Sequence, residues 1–295
     1  MRVLLIGGTG QLGEALQRAL QAVPALTLTV LTRQELNLTQ LGQVRSAIER
    51  IKPEIIINAA AYTAVDRAEA ERDLAMTING KAPGVVAAAA RDCDARLIHI
   101  STDYVFAGDK GSPYLETDPT HPLNAYGESK RAGEQAILAA EADAVIVRTA
   151  WVYGAGGKGN FVKTMLRLGA ERPEVRVVAD QIGTPTWTGD LARAITTIAC
   201  GMDTPIPAGI YHYTNSGVAS WYDFAIAIFE EAAALGMPLR LQRVVPITTS
   251  EYPTPARRPA YSVLAWGKIT PYLGGPAPHW RQGLRTMLGE LQNLR

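Results

Sequence analysis

Along the first half of the chain the apolar residues switch repeatedly between two arrangements. Residues 2–7 (RVLLIG) form a continuous apolar run ended by glycine, whereas residues 11–23 (QLGEALQRALQAV) repeat their apolar positions every three to four residues. Short continuous runs suit strands buried on both faces, and the longer repeat suits one face of a helix. The same alternation predicts strands at 26–31, 54–60, 96–102 and 144–150, and helices at 38–51, 73–93 and from Asn124 onward. A further strand is predicted at 175–180. Strands rich in Ile and Val, each followed by a helix, build right-handed βαβ units. The predicted fold class is therefore α/β, a doubly wound parallel sheet of the Rossmann type covered on both faces.

Past residue 180 the alternation weakens, and proline and aromatic residues become frequent, as in QIGTPTW, GIYHYT and EYPTPARRPAYS. A helix at 220–235, the stretch LRLQRVV and a terminal helix after Pro278 predict a smaller C-terminal α/β lobe. This reading puts a dinucleotide-binding domain at 1–180 and a smaller substrate-binding lobe at 181–295. The two are interleaved without a linker, and some later segments return to the first.

Composition narrows the partners. With 47% hydrophobic and 19% charged residues the chain is an ordinary folded protein. A formal net charge of +1 supplies no general attraction to nucleic acid or to an anionic membrane, so neither is expected as a partner. An anionic ligand has to be caught locally. Cys93 and Cys200 match no metal or redox spacing and suit a reducing compartment. The start MRVLLIGGTG reads as a first strand rather than a signal peptide, and no apolar segment approaches bilayer length, so a cytoplasmic location is expected. His99, His121, His212 and His279 are scattered, and no metal site is predicted. The expected assembly is a monomer or a homodimer.

The candidate chemistry begins at GGTGQLG, whose Gly7, Gly10 and Gly13 stand between the first strand and the first helix. Glycines there allow a tight turn and close approach of backbone to a pyrophosphate, which the helix N-terminus attracts. After the second strand comes TRQELNL. Arg33 is either a solvated loop residue or a planar partner for the 2′-phosphate of NADPH, and NADH stays possible. Tyr126 and Lys130, four residues apart in NAYGESKRAGE, share one helix face. Hydride reduction of a ketone produces an alkoxide that needs a proton. A phenol with pKa about 10 is a poor acid, and a neighbouring ammonium improves it. Thr102, at the carboxyl edge of the 96–102 strand, can donate a hydrogen bond to the same oxygen.

The motifs GGTGQLG, NAAAYTAVDRAE, STDYVFAG, NAYGESKRAGE, RTAWVYG, DQIGTPT and RRPAYS occur in this order over essentially the whole chain. In this the sequence resembles the dTDP-4-dehydrorhamnose reductases, extended short-chain dehydrogenases of deoxysugar-nucleotide biosynthesis. The resemblance implies reduction of the C4 ketone of dTDP-4-dehydro-β-L-rhamnose, with Tyr126 as proton donor, Lys130 as its tuner and Thr102 as the carbonyl partner. It also implies that Gly10, Gln11 and Leu12 meet the pyrophosphate, that Ala59, Ala60, Ala61, Tyr62 and Thr63 line the cofactor, and that Asn37 and Leu38 lie near the adenine. The family often has Asp where Asn37 stands. Asp103, Tyr104 and Trp151 correspond to its sugar and nucleotide contacts. Some members hold magnesium through glutamates at a dimer contact. Glu14 matches one of these, but Gly189 and Asp190 stand where a second glutamate is expected, which argues against that metal here.

Other residues carry two readings. Trp151 is either core or a pocket wall for the hexose, and Arg257 and Arg258 are either solvated or a local cation for the substrate diphosphate. Asp66, Glu69 and Glu71 read as a helix face, with Asp66 as a cap. Other readings compete: another nucleotide-sugar keto-reductase, a nucleotide-sugar dehydratase or 4-epimerase that retains NAD, and a non-catalytic NADP-binding regulatory subunit. Thr102-Asp103 is followed by Tyr104, which removes the glutamate that elimination needs. An intact Thr102, Tyr126 and Lys130 set argues against a silent subunit.

Overall fold

The computed structural model describes residues 1–201 and 205–293. In chain order the elements are β1 (Arg2–Ile6), α1 (Gln11–Gln21), β2 (Thr27–Leu31), α2 (Leu41–Ile51) and β3 (Ile55–Asn58). Two single turns follow, α3 (Val65–Ala68) and α4 (Arg72–Ala75), then a π-helical turn (Met76–Lys81) that runs into α5 (Ala82–Asp92). Next come β4 (Arg96–Thr102), α6 (Ala125–Ala139), β5 (Ala144–Thr149), β6 (Val152–Tyr153), α7 (Phe161–Glu171) and β7 (Glu174–Val178). The chain ends with β8 (Ile182–Gly183), β9 (Thr186–Trp187), α8 (Thr188–Cys200), β10 (Gly209–His212), β11 (Ala219–Ser220), α9 (Trp221–Ala234), β12 (Arg243–Ile247) and α10 (Trp280–Asn293).

Six strands form one sheet in the order β2-β1-β3-β4-β5-β10, and every neighbouring pair is parallel. This is the doubly wound α/β fold that the apolar runs predict. Strand period two sorts its core: Val3 and Leu5 pack with α1 and α8 on one face, while Leu4 and Ile6 pack with α2 and α5 on the other. The chain leaves β1 for β2 in one direction and returns past β1 to β3 in the other. The loops after β1 and β3 therefore part to opposite faces and open a crevice at the carboxyl ends of the strands.

A second hydrophobic cluster gathers α7, β7, α9 and α10 through Val162, Met165, Val175, Val177, Phe224, Ile228, Leu284 and Met287. Residues near position 180 do not sort between the clusters by chain order. The expected strand at 175–180 forms as β7, yet it pairs with β12 outside the large sheet. Segments beyond 180 return to that sheet: α8 packs Leu191, Ile195 and Ile198 with Leu12 and Leu16 of α1, and β10 becomes the strand beside β5. Periodicity specifies the kind of element, and only packing chooses its neighbour. The sequence reading also passed over α7 and α8, which lie in glycine- and threonine-containing stretches.

Candidate active site

The crevice holds a cavity of about 750 Å³ at the carboxyl edge of the sheet. One wall is the glycine turn. Gly7 has φ +93°, and a Cβ there would lie 2.6 Å from the backbone nitrogen of Ala60. A Cβ on Gly13 would lie 2.1 Å from the carbonyl oxygen of Gly7. Larger residues would push the loops after β1 and β3 apart. Gly10 precedes α1, and no side chain caps that helix, so its first N–H groups and positive dipole end remain free for an anion. Gly7, Gly10, Gln11 and Leu12 all line the cavity.

Arg33, Asn37 and Leu38 line the same cavity, joined by Thr32 and Leu36, which the sequence reading did not single out. Glu35 turns back on its own loop and accepts from Thr32 N–H at 2.8 Å, a bond that lowers its pKa. The exposed guanidinium of Arg33 is the charged group this rim presents to a ligand.

Ala59, Ala60, Ala61, Tyr62 and Thr63 form the opposite wall. Asn79 from the π-helical turn holds this segment: its Oδ1 accepts from Tyr62 N–H (2.8 Å), and its Nδ2 donates to Tyr62 O (2.9 Å) and Ser129 Oγ (3.0 Å). The local widening of the helix thus ties the β3 loop to α6. The three acids expected as a helix face have separate duties. Glu71 accepts from the Tyr62 hydroxyl (2.6 Å), Glu69 accepts from Ala125 N–H at the start of α6 (2.8 Å), and Asp66 caps nothing but takes both arms of Arg258 (2.8 Å each).

The α6 helix begins where Asn124 accepts from Gly127 N–H at 2.8 Å, which orients the Tyr126–Lys130 face toward the cavity. Thr102, Asp103 and Tyr104 come from the end of β4 and line it beside them. Burial pushes the Tyr126 phenol up to about 12, opposed by the Thr102 hydroxyl, with the Asp103 carboxylate a smaller push upward. Burial, not the lysine, dominates this phenol in the structure. Burial also brings the Lys130 amine down to about 8, against the pull of Glu134. The Lys130 Nζ donates to Ile100 O at 2.7 Å and lies 3.3 Å from His99 Nε2. Tyr104 meets the Tyr126 ring edge-on at 5.6 Å.

Trp151 lines the cavity in the left-handed region, at φ +47°, where a bulky residue is strained. Its indole is stacked on Trp221 from the start of α9 (ring centroids 3.5 Å apart, planes 4° apart), and it also lies against Gly183, where a Cβ would come within 2.5 Å. Trp221 also lines the cavity, and an aromatic residue directly after the helix-capping Ser220 was the one signal for it. Lys158 enters from the GAGGKGN loop, whose Gly157 packs against Gln11. Arg257 and Arg258 do not line the cavity. Arg258 is engaged by Asp66, and Arg257 is exposed, its carbonyl oxygen accepting from Asn124 Nδ2 at 2.7 Å. The magnesium pattern does not fit, because Asp190 is buried and bonded to Arg193 and, at 2.6 Å, to Asn215.

Residues 1–293 match the family model described as RmlD substrate binding domain. The chain is 44% identical to a Burkholderia thailandensis protein named dTDP-4-dehydrorhamnose reductase, over 99% of each chain. A dTDP-4-dehydrorhamnose reductase from Clostridium acetobutylicum superposes with a TM-score of 0.91 at 39% identity, covering 99% of this chain and 100% of that one. The Bacillus anthracis dTDP-4-dehydrorhamnose reductase, solved in complex with NADP, superposes with a TM-score of 0.89 at 41% identity, covering 98% and 99%. The chain belongs to the RmlD substrate binding domain family, in the company of proteins named dTDP-4-dehydrorhamnose reductase.

Proposed function

We propose that this protein reduces the C4 ketone of dTDP-4-dehydro-β-L-rhamnose to dTDP-β-L-rhamnose with NADPH, supplying dTDP-rhamnose for cell-surface polysaccharide. The observation that carries the reading is the meeting of Tyr126, Lys130 and Thr102 with the glycine turn in one cavity. The glycine cradle, closed to any Cβ at Gly7 and Gly13, fits a dinucleotide, and the NADP in the Bacillus anthracis relative supports the same choice. Bound there, a reduced nicotinamide supplies the hydride.

The chain's own residues then handle the oxygen. Thr102, whose hydroxyl donates to Asp103 Oδ1 at 2.9 Å, turns that proton to the ketone oxygen and positions it. Tyr126, fully protonated at neutral pH because burial holds its pKa near 12, gives its proton to the oxygen as negative charge develops there. Protonated Lys130 favours the phenolate that this transfer leaves behind. Asp103 and Tyr104 hold the sugar, and Trp151 bounds its pocket. The reaction takes place in the cytoplasm, a reading that the free thiols of Cys93 and Cys200 support. Among the described residues no helix is long and apolar enough to cross a membrane.

The test is to follow NADPH and NADH absorbance with synthesised dTDP-4-dehydrorhamnose. Oxidation of cofactor in step with rhamnose formation is expected, faster with NADPH. Absence of oxidation with both, or retained NAD with isomerised sugar, would overturn the reading.

A further inference from the structure

The imidazole of His99 lies on β4 beneath Lys130, fully buried, and the reaction as proposed gives it no part. The donors around it determine where its proton resides. Ala60 N–H donates to Asn58 Oδ1 at 3.2 Å, which fixes the amide so that its Nδ2 faces His99 Nδ1 at 3.2 Å. An amide nitrogen only donates, so Nδ1 accepts. Burial first, and the lysine second, holds the His99 pKa well below its ordinary value, so the ring is neutral and its single proton is on Nε2. That N–H points at Lys130 Nζ, 3.3 Å away. An ammonium has donors and no acceptor, so a charged lysine here sets donor against donor. A neutral amine accepts from Nε2–H and still donates to Ile100 O at 2.7 Å.

We infer that His99 is a positioning residue whose Nε2–H, aimed by Asn58, disfavours the ammonium form of Lys130 and so lowers the alkaline limit of turnover. The inference rests on the proposed reading of Tyr126 and Lys130 as the proton-handling pair. The other charged groups around the lysine are accounted for. Glu134, one turn further along α6, favours the ammonium. Its carboxylate is held by Arg148 from β5 (2.9 and 2.7 Å) and by the Ser101 hydroxyl from β4 (2.5 Å), which offsets part of its field. Asp103, from the turn after β4, and Tyr126 line the same cavity. The π-helical turn contributes the neutral Asn79, and Arg72 of α4 meets α6 at the exposed Glu128 (3.1 Å). Burial alone would lower the lysine. The opposed N–H adds a directional penalty that a single atom controls.

Two substitutions separate this from a packing role. His99→Leu removes the N–H. Asn58→Asp keeps an acceptor for Ala60 and draws the ring proton to Nδ1, but it also adds a negative charge that favours the ammonium, so it is read beside His99→Leu, which adds none. With saturating NADPH and keto sugar, the alkaline limb of the kcat–pH profile is expected to move up by about half a unit or more in each variant that folds. A limb that stays in place or moves down, including one with a uniformly lower plateau, overturns the inference. His99→Phe, which keeps a planar ring and removes the N–H without adding a charge, carries the test should His99→Leu not fold. Inactivity of the unsubstituted protein with the ketone would instead bring down the proposed reaction, and this inference with it.

Discussion

Asp103 carries a carboxyl group that folding takes out of water. Burial pushes its pKa up to about 6, against the pull of the Ser262 and Thr102 hydroxyls. The folded pKa lies above the unfolded one of about 4, so the protonated carboxyl favours the fold. That contribution is complete below about pH 4 and lost as pH rises through 6. Asp103→Asn, a stand-in for the protonated acid, is expected to exceed the parent in stability by roughly 2–3 kcal/mol at pH 8 and to match it near pH 4, with urea denaturation at both pH values as the check. At Tyr126 the expected outcome is kinetic: Tyr126→Phe should lower kcat by about 10²–10⁴-fold and leave nucleotide binding intact, read by stopped-flow turnover and NADPH fluorescence. Arg33→Ala should weaken NADPH by about tenfold and NADH little, since only the former has a 2′-phosphate to pair with the fork. Residue types and spacing made Tyr126 and Arg33 visible in advance, and the family resemblance pointed to Asp103. The pKa of the phenol was not visible, because chemistry alone suggested a lysine-lowered value and burial decides otherwise.

At the scale of elements, the glycine turn and α6 carry the site. Gly13→Ala would drive a methyl against the Gly7 carbonyl oxygen at 2.1 Å, backbone that cannot step aside without opening the turn. The expected result is a loss of about 1–3 kcal/mol and of most NADPH affinity, measured by thermal unfolding and titration calorimetry. The α6 helix is locked from below by the buried pair of Glu134 and Arg148, 2.7 Å apart. Glu134→Gln leaves Arg148 a buried, unpaired cation and is expected to cost about 3–5 kcal/mol. The strands β1 to β5 were legible because continuous Ile and Val runs have few alternatives. The π-helical turn was not, since it accompanies bonds from Asn79 to Tyr62 and Ser129, partners that only the fold brings near. The carboxylates at 66, 69 and 71 show the same limit, because their partners are 192, 56 and 9 positions away respectively.

Across the whole molecule, the cavity lies where the large sheet meets the second cluster, and Trp221 is the contribution of the latter. Its stacking on Trp151 holds that residue in a strained backbone state. Trp221→Ala is expected to raise the Kd for dTDP-sugar by about tenfold while leaving that of NADPH unchanged, because an aromatic stack is worth about 0.5–1.5 kcal/mol beyond its area. NADPH at a hundred times its Kd should still stabilise the variant by about 2.7 kcal/mol, as it does the parent. The amino-acid sequence by itself determined the element types of the first half, the glycine turn and the Tyr126–Lys130 face, since steric and periodic constraints act between near neighbours. Tertiary structure alone decided the rest: that α8 and β10 rejoin the first sheet, that Trp221 meets Trp151, that Arg258 is spent on Asp66, and that His99 faces Lys130. Those outcomes depend on burial and on partners brought together across the fold, where a group's charge, proton and neighbours are set by what excludes water from it.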